Sequence, residues 1–373
     1  MLKIFRNRTG RLGLATALGA ATLLIASATL AQTAYVPGVQ LSEGIRVVNT
    51  TTNTVTTTIA APNASILGVG VNFAGTRAYF TDISTTPGSL LVVDTSTGGV
   101  ISTATVGATP YGVAANPAGT RLYVANQVDN SVTVLDAANY AVLQILSGFA
   151  GASGLVVKGD GTKVYVSTNS SVTVLDTSTS TTSTIGLIGT PRGIAINRTG
   201  TKVYAALLNG SFATIDTATN AVVVTASGLT QFRGIVVSPD GAKVYAASNS
   251  SNQLAILDTA TNTVTTAVIG AGGFGAGSGA GLSGVSMTQD GTKVFITSRG
   301  SGIYVFNTSA LTNAYVATSG DLISLGHFIA PPAPILNSPA APVPTLSEWA
   351  MILFGLMLAG GAAVLIQRRR QLG

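Results

Sequence analysis

Between residues 34 and 330 the chain consists of short runs in which apolar and polar positions alternate, and turn residues separate the runs. Alternation with a period of two is typical of half-buried β-strands, and the many β-branched residues favour the same structure. No stretch in this range has the 3.6-residue period of an amphipathic helix. The pattern therefore predicts an all-β domain.

One unit of sequence recurs along this domain. An aromatic residue stands at the same place in each copy, in segments such as TRAYFTD, TRLYVAN and TKVYVST. The aromatic positions are Tyr35, Tyr79, Tyr123, Tyr165, Tyr204, Tyr245 and Phe295, with spacings of 44, 44, 42, 39, 41 and 50 residues. Such a period holds four short strands with their turns, which is the size of a propeller blade. We expect these rings to pack between blades; stacking on sugars or bases is the alternative.

The turns of each copy have their own chemistry. A tight turn follows the first strand, and its glycine stands where a hairpin needs a positive φ. These glycines are Gly75, Gly119, Gly161, Gly200, Gly241 and Gly291. The third strand ends in an acidic residue in five copies: Asp94, Asp136, Asp176, Asp216 and Asp258. We expect each aspartate to bond the backbone of its own turn; a ring of metal ligands is the alternative.

The number of strands predicts how the array closes. Strands of the first type are predicted at seven places: residues 67–73, 111–117, 153–159, 192–198, 233–239, 283–289 and 324–330. The last has no unit after it, and the first unit has no leading strand. A seven-bladed β-propeller of four-stranded antiparallel blades, spanning 34–330 and closed by a C-terminal strand at 324–330, removes the exposed edge that an open array would leave.

Composition excludes several classes of site. The chain has no Cys and one His, which excludes disulfides, a cysteine nucleophile and a Cys-based zinc site, and we expect no cofactor or metal. The net charge of +6 is concentrated at the two ends: Lys3, Arg6, Arg8 and Arg11 in the first, and Arg368, Arg369 and Arg370 in the second. The body is close to neutral, so we expect no nucleic-acid partner.

The two ends have the layout of targeting segments. Residues 1–31 join a basic start to an uncharged run that ends in small residues, as in a secretory signal peptide; an uncleaved anchor is the alternative. A Pro-rich linker is predicted at 331–343 and a transmembrane helix at 349–366, with Arg368, Arg369 and Arg370 as its cytoplasmic basic anchor; a buried core helix is the alternative. Both ends place the propeller outside the cytoplasm.

The segment in front of this helix is more specific. Residues 344–370, with Val343 before them, resemble the IPTL-CTERM sorting domains, and the matching motif positions are Val343, Pro344, Thr345, Leu346 and Trp349. Val343 replaces the usual Ile, and Ala350 the usual Gly. The resemblance implies an exosortase-like processing enzyme as partner, membrane insertion before processing, and delivery to the cell envelope or outer surface.

The repeats also resemble a known family. The unit SPDGAKVYAASNSSNQLAILDTATNTVTTAVIG (238–270) is similar to those of the YVTN family of β-propellers. The resemblance covers about 34–330 and implies the same fold. Asn49 and Asn307 depart from it, because they stand where the other copies have the strand-ending aspartate.

Arg192 and Arg233 are the candidate ligand contacts. Both directly precede the glycine of a first-type strand, on what should be adjacent blades five and six. If that strand lines the channel, two guanidiniums lie near one mouth, where they suit a carboxylate, a phosphate or an acidic glycan. The Gly-rich insertion at 270–281 is expected on the same face. Solvated arginines without a ligand are the alternative.

These observations favour an exported, surface-anchored propeller that acts as a non-enzymatic binding or structural module, with an unknown protein or glycan ligand at the channel face. No catalytic residue is identified, because no known nucleophile, metal or phosphate-binding motif occurs and His327 fits a structural role. A hydrolase or lactonase-like enzyme and a glycosylated matrix or surface-layer component are the alternatives. Convergent His, Asp and Glu at a channel mouth would indicate the enzyme, and an excess of mature mass would indicate the glycosylated component.

Overall fold

A computed structural model describes residues 32–38, 43–269, 281–299, 302–318, 322 and 326–335. The elements within these ranges are 27 β-strands. Within the same ranges there is no helix of sufficient length and apolarity to cross a membrane. The predicted signal peptide, the predicted helix at 349–366 and most of the Gly-rich insertion lie outside the described residues.

The strands form seven antiparallel sheets in chain order, numbered here as blades. Blade one contains β1 (Thr33–Pro37), β2 (Ile45–Asn49) and β3 (Thr54–Ile59); blade two β4 (Ile66–Val71), β5 (Arg77–Asp82), β6 (Ser89–Asp94) and β7 (Gly99–Thr105); blade three β8 (Pro110–Ala115), β9 (Arg121–Asn126), β10 (Ser131–Asp136) and β11 (Val142–Ser147); blade four β12 (Leu155–Val157), β13 (Lys163–Ser167), β14 (Ser171–Asp176) and β15 (Thr182–Gly186).

The other three blades follow the same order. Blade five contains β16 (Pro191–Ile196), β17 (Lys202–Leu207), β18 (Ser211–Asp216) and β19 (Val222–Ala226); blade six β20 (Phe232–Val237), β21 (Lys243–Ser248), β22 (Gln253–Asp258) and β23 (Val264–Val268); blade seven β24 (Leu282–Met287), β25 (Lys293–Ser298), β26 (Gly302–Asn307) and β27 (Asn313–Ala317). The prediction of an all-β seven-bladed propeller is confirmed. The first strands end earlier than predicted, because the tight turn begins where the alternating pattern still continues.

The repeated aromatic residues fill the space between blades. All seven are at most 5% exposed. Tyr79 of blade two packs with Val113 and Leu122 of blade three, and Tyr123 packs with Leu155 of blade four. Burial of one large ring at each blade contact stabilises the ring of blades through apolar area. The interpretation of these residues as packing between blades is confirmed.

In blades two to seven the first strand lies innermost, and neighbouring inner strands approach closely. A Cβ atom on Gly112 of β8 would lie 2.6 Å from the carbonyl oxygen of Ser153, and one on Gly154 would lie 2.7 Å from that of Arg192. The Gly154 amide donates a hydrogen bond of 3.2 Å to the same Arg192 oxygen. These two glycines are therefore required by the packing of one blade against the next.

Blade one is closed by the C-terminal part of the chain. The Tyr35 amide donates to the Phe328 carbonyl at 2.8 Å, and Ala34 forms an isolated bridge with Ile329. The closure is as predicted, but the strand predicted at 324–330 is wrong in form: the described residues 326–330 make only this bridge. Gly326 has a φ of +117°, outside the β region, and Pro331 has no amide hydrogen. Among the described residues, pairing beyond Gly326 resumes only at the isolated bridge between Gly38 and Leu322.

Asn307, one of the two asparagines that depart from the repeat, has a structural effect. In blades two, three, five and six the basic residue that begins the second strand pairs with the repeated aspartate of its own blade. Asn307 replaces that aspartate in blade seven, and the Lys293 ammonium instead donates to the carbonyl oxygens of Thr50 and Thr51 in blade one, at 2.7 and 3.1 Å. The substitution thus releases a lysine that joins the last blade to the first.

The repeated aspartates bond their own turns, as predicted. Asp216, for example, accepts hydrogen bonds from the amides of Ala218 and Thr219, both at 3.0 Å, and a bond of 2.8 Å from the Lys202 ammonium. These contacts hold the pKa of Asp216 well below its usual range. The six glycines predicted to need a positive φ have values between +66° and +74°.

Candidate functional site

The two arginines selected from the sequence lie at the same place on neighbouring inner strands. Arg192 belongs to β16 and Arg233 to β20, and the register of each strand against its partner shifts at that residue, between Pro191 and Gly193 in one case and between Phe232 and Ile235 in the other. A β-bulge re-aims the side chain of the extra residue. Local backbone geometry therefore separates these guanidiniums from the ladder and places both at the start of the inner strands.

Two further residues complete this end of the channel, which we call the arginine mouth: Tyr111, Arg192, Arg233 and Arg299. Tyr111 of blade three interacts with Arg233 of blade six, so the two side chains meet across the ring axis. Burial lowers the pKa of Arg233, contact with Tyr111 opposes this effect, and the like charges of Arg299 and Arg192 lower the pKa further. The mouth thus concentrates three positive charges in one place.

The arginine mouth has hydrogen-bonding capacity that the protein does not use. The Nε atoms of Arg192 and Arg233 are buried and have no partner. None of the ion pairs found among the described residues involves an arginine of the mouth. A guanidinium is donor-only and suits carboxylate or phosphate oxygens, so the arrangement can bind an anion.

Sequence reasoning missed two of these four residues. Arg299 directly follows β25, at a place where the other blades carry uncharged residues such as Gln127, Leu208 and Asn249. That contrast is visible in the sequence, but Arg299 lies outside the inner strands on which Arg192 and Arg233 stand. Tyr111 is the blade-three equivalent of the two arginines, and its contact with Arg233 depends on the width of the channel, which the sequence does not contain.

The opposite end of the channel has a different construction. Residues 331–335, which we call the strap, lie across the end of the inner strands; they belong to the segment predicted as a linker at 331–343. Beneath the strap is a cavity of about 100 Å³, lined by inner-strand residues such as Val113, Val156, Ile196 and Met287 and by three strap prolines. We call this end the strap mouth.

His327 lines the same cavity and is half-buried. Burial lowers its pKa to about 4, so the ring is neutral at pH 7. Within the residues that the structure describes, no group of three His, Asp or Glu side chains could hold a metal ion. The sorting positions Val343, Pro344, Thr345, Leu346 and Trp349 and the basic anchor Arg368, Arg369 and Arg370 lie outside the described ranges.

Comparison with solved structures supports the fold assignment. Hydrazine synthase of Kuenenia stuttgartiensis matches with a TM-score of 0.61 and 22% sequence identity, over 66% of this chain and 78% of that one. At this identity the likeness concerns the fold alone. No curated protein is similar to the chain in sequence.

Two family profiles match the chain. Residues 341–370 match the IPTL-CTERM motif, which confirms the resemblance drawn from VPTLSEWA and indicates export and sorting to the cell envelope or surface. Residues 108–319, more than half of the chain, match a profile described as a domain of unknown function, DUF5074. That range covers blades three to seven and includes Arg192, Arg233 and Arg299. The chain therefore belongs to the DUF5074 family.

Proposed function

We propose that this protein is a surface-delivered, non-enzymatic β-propeller that binds an anionic ligand at the arginine mouth. The observation that carries the proposal is the set of three neighbouring guanidiniums, two with buried unpartnered Nε atoms. Burying part of a charged group without a partner is costly, and an anion would satisfy these donors. The ligand class is a carboxylate, a phosphate or an acidic glycan.

The chemistry of the arginine mouth favours binding over catalysis. Guanidiniums remain charged at neutral pH and donate hydrogen bonds only, so Arg192, Arg233 and Arg299 can orient an anion but cannot accept a proton from it. A general acid or base needs a pKa near the working pH. We therefore assign these residues to recognition.

Delivery is proposed from the C-terminal motif. An IPTL-CTERM segment at 341–370 supports recognition by an exosortase-like membrane enzyme, with a signal peptide at 1–31 and a membrane helix at 349–366. We also assign the repeats to the YVTN type, on their sequence similarity. Intact mass of the protein from its native envelope tests delivery: loss of both terminal segments is expected, and retention of Arg368, Arg369 and Arg370 would contradict processing.

Titration with inorganic phosphate and with polygalacturonate, with neutral dextran as reference, tests the binding site. We expect both anions to bind and dextran not to bind. The double variant Arg192→Gln/Arg233→Gln should lower affinity at least tenfold, or about 1.4 kcal/mol. The matched variant Arg77→Gln/Arg121→Gln removes the same charge from arginines that already pair with Asp94 and Asp136. Equal losses in both variants would contradict a specific site.

A further inference from the structure

The strap occupies a seat that turns of blades four, five and seven provide. The Arg198 side chain donates from Nε to the Ala333 carbonyl at 2.6 Å, and its own carbonyl accepts the Ile335 amide at 2.9 Å. A Cβ atom on Gly159 would lie 2.6 Å from Cβ of Pro334. Where the strap begins, the side-chain Nε2 atom of Gln289 donates to the carbonyls of Ala330 and Pro331, at 3.3 and 3.4 Å. The strap is therefore bonded on both sides of the channel.

The residues of the seat hold equivalent positions in the repeat. Each inner hairpin has a turn of the form NPAG, KGDG or NRTG, and its second position is Phe73, Pro117, Gly159, Arg198, Pro239 or Gln289. Gly159 has no positive φ, so its backbone conformation does not require glycine. It is explained by the close approach of Pro334. One turn position thus supplies space in blade four and hydrogen bonds in blades five and seven.

The seat decides which face of the propeller the sorting signal can reach. Strand β16 has six residues, so the ring is about 20 Å thick at ~3.3 Å per residue. Two more strands, at ~4.8 Å each, separate the Arg198 hairpin from the perimeter. A path from the strap to the other face is therefore at least about 30 Å long. The six Cα steps from Ile335 to the start of the motif at 341 span at most about 20 Å.

We propose that the strap is a built-in orientation device: it binds the Gly159–Arg198–Gln289 seat, covers one channel mouth, and holds that face toward the attachment site. The arginine mouth then faces outward, and a ligand from the surroundings can enter there. The proposal rests on the proposed surface delivery. Its two parts, binding of the strap to the seat and orientation on the cell, are tested separately.

The chain contains no cysteine, so one introduced thiol reports on one place. The first test uses the full chain in mild detergent with Ala114→Cys, which places a thiol in the wall of the covered cavity. Gly159→Val should displace Pro334 and raise the rate of modification by a bulky maleimide at least tenfold. Pro117→Val, at the same turn position of blade three, is the matched control and should change the rate less than twofold. Equal modification rates of Ala114→Cys with and without Gly159→Val would overturn the proposal that the strap binds this seat.

The second test compares the two faces of blade three on intact cells of the native host. Ala118→Cys labels the strap face and Val128→Cys the arginine face, and both positions are exposed. With a membrane-impermeant maleimide polymer we expect labelling at position 128 at least fivefold above that at 118, and equal labelling after lysis. Equal labelling on cells, or the reverse order, would overturn the orientation while delivery stands. No labelling before lysis would overturn both the orientation and the surface delivery, whereas the seat is judged by the first test.

Discussion

The two mouths of the channel are formed by opposite ends of the same inner strands, and they differ in almost every chemical respect. At the beginning of the strands, bulges place Arg192 and Arg233 beside Arg299. At their end, the cavity is lined mainly by apolar residues and is covered by prolines of the chain itself. Because the repeat gives each blade the same backbone structure, the chemical difference between the two mouths arises at the positions that depart from the repeat.

The difference depends on a few positions. In the inner strands, the residue before the glycine is uncharged in blades two, three, four and seven but is arginine in blades five and six. At the second position of the inner turns, Gly159 and Arg198 replace the Phe or Pro found in blades two, three and six. The inner-strand arginines create an anion-binding capacity that the protein itself does not use. The turn residues Gly159 and Arg198 create a seat that the strap occupies.

The largest expected effect is a loss of stability when a side chain is introduced between neighbouring inner strands, because both mouths are formed by the ends of these strands. Gly112→Val would bring a Cβ within 2.6 Å of the Ser153 carbonyl. Overpacking against backbone should lower the free energy of unfolding by about 1–3 kcal/mol. Thermal unfolding measures the loss. Gly186→Val is the matched control, since a Cβ there meets nothing within 4 Å; a similar loss in both variants would contradict close packing at Gly112.

A smaller effect would show whether the arginine mouth is selected for binding at the expense of stability. Arg233→Met removes a partly buried guanidinium that has an unpartnered Nε and like-charged neighbours. We expect phosphate affinity to fall at least tenfold, while the unfolding free energy is unchanged or rises by up to about 1 kcal/mol. Arg121→Met, which breaks an exposed pair with Asp136, should leave affinity unchanged. A large loss of stability in Arg233→Met would indicate a structural role for this arginine.

The smallest effect concerns pH and should arise at the strap mouth. Burial lowers the pKa of His327 to about 4, below the ordinary value of 6.5. Between these values the unfolded chain binds a proton that the folded chain does not, so stability falls as pH decreases from 6.5 toward 4. The melting temperature should therefore be lower at pH 5 than at pH 7.5, and the difference should shrink in His327→Phe. An unchanged difference would show that other groups control this range.

The fold could be predicted well from the sequence because the same pattern of aromatic, glycine and apolar positions recurs in almost every blade. The aromatic position of Tyr79 and the turn position of Gly119 each recur at the same place in the repeat. The strand boundaries of a divergent copy can therefore be assigned from the other copies. The closing strand at 324–330 was predicted with too much regularity, because its place was inferred from the strand count. Pairing there is limited by Gly326 and Pro331, which no repeat constrains.

The site could be predicted only in part. Arg192 and Arg233 stood out because they occupy one repeat position. Arg299 and Tyr111 join them through distances across the ring, which a one-dimensional pattern does not contain. The strap was predicted only as a linker, since the reason for glycine at 159 is contact with Pro334, more than 170 residues away in the chain.

Crystals soaked in selenate would test the central difference most directly, because selenium gives an anomalous signal at the bound anion. We expect an anomalous peak within hydrogen-bonding distance of Arg192, Arg233 and Arg299, and none at Arg198, whose Nε already donates to Ala333. Anion binding at the arginine mouth would be contradicted by a peak at Arg198 without one at the mouth. It would also be contradicted by the absence of a peak in crystals whose packing leaves the arginine mouth accessible to solvent.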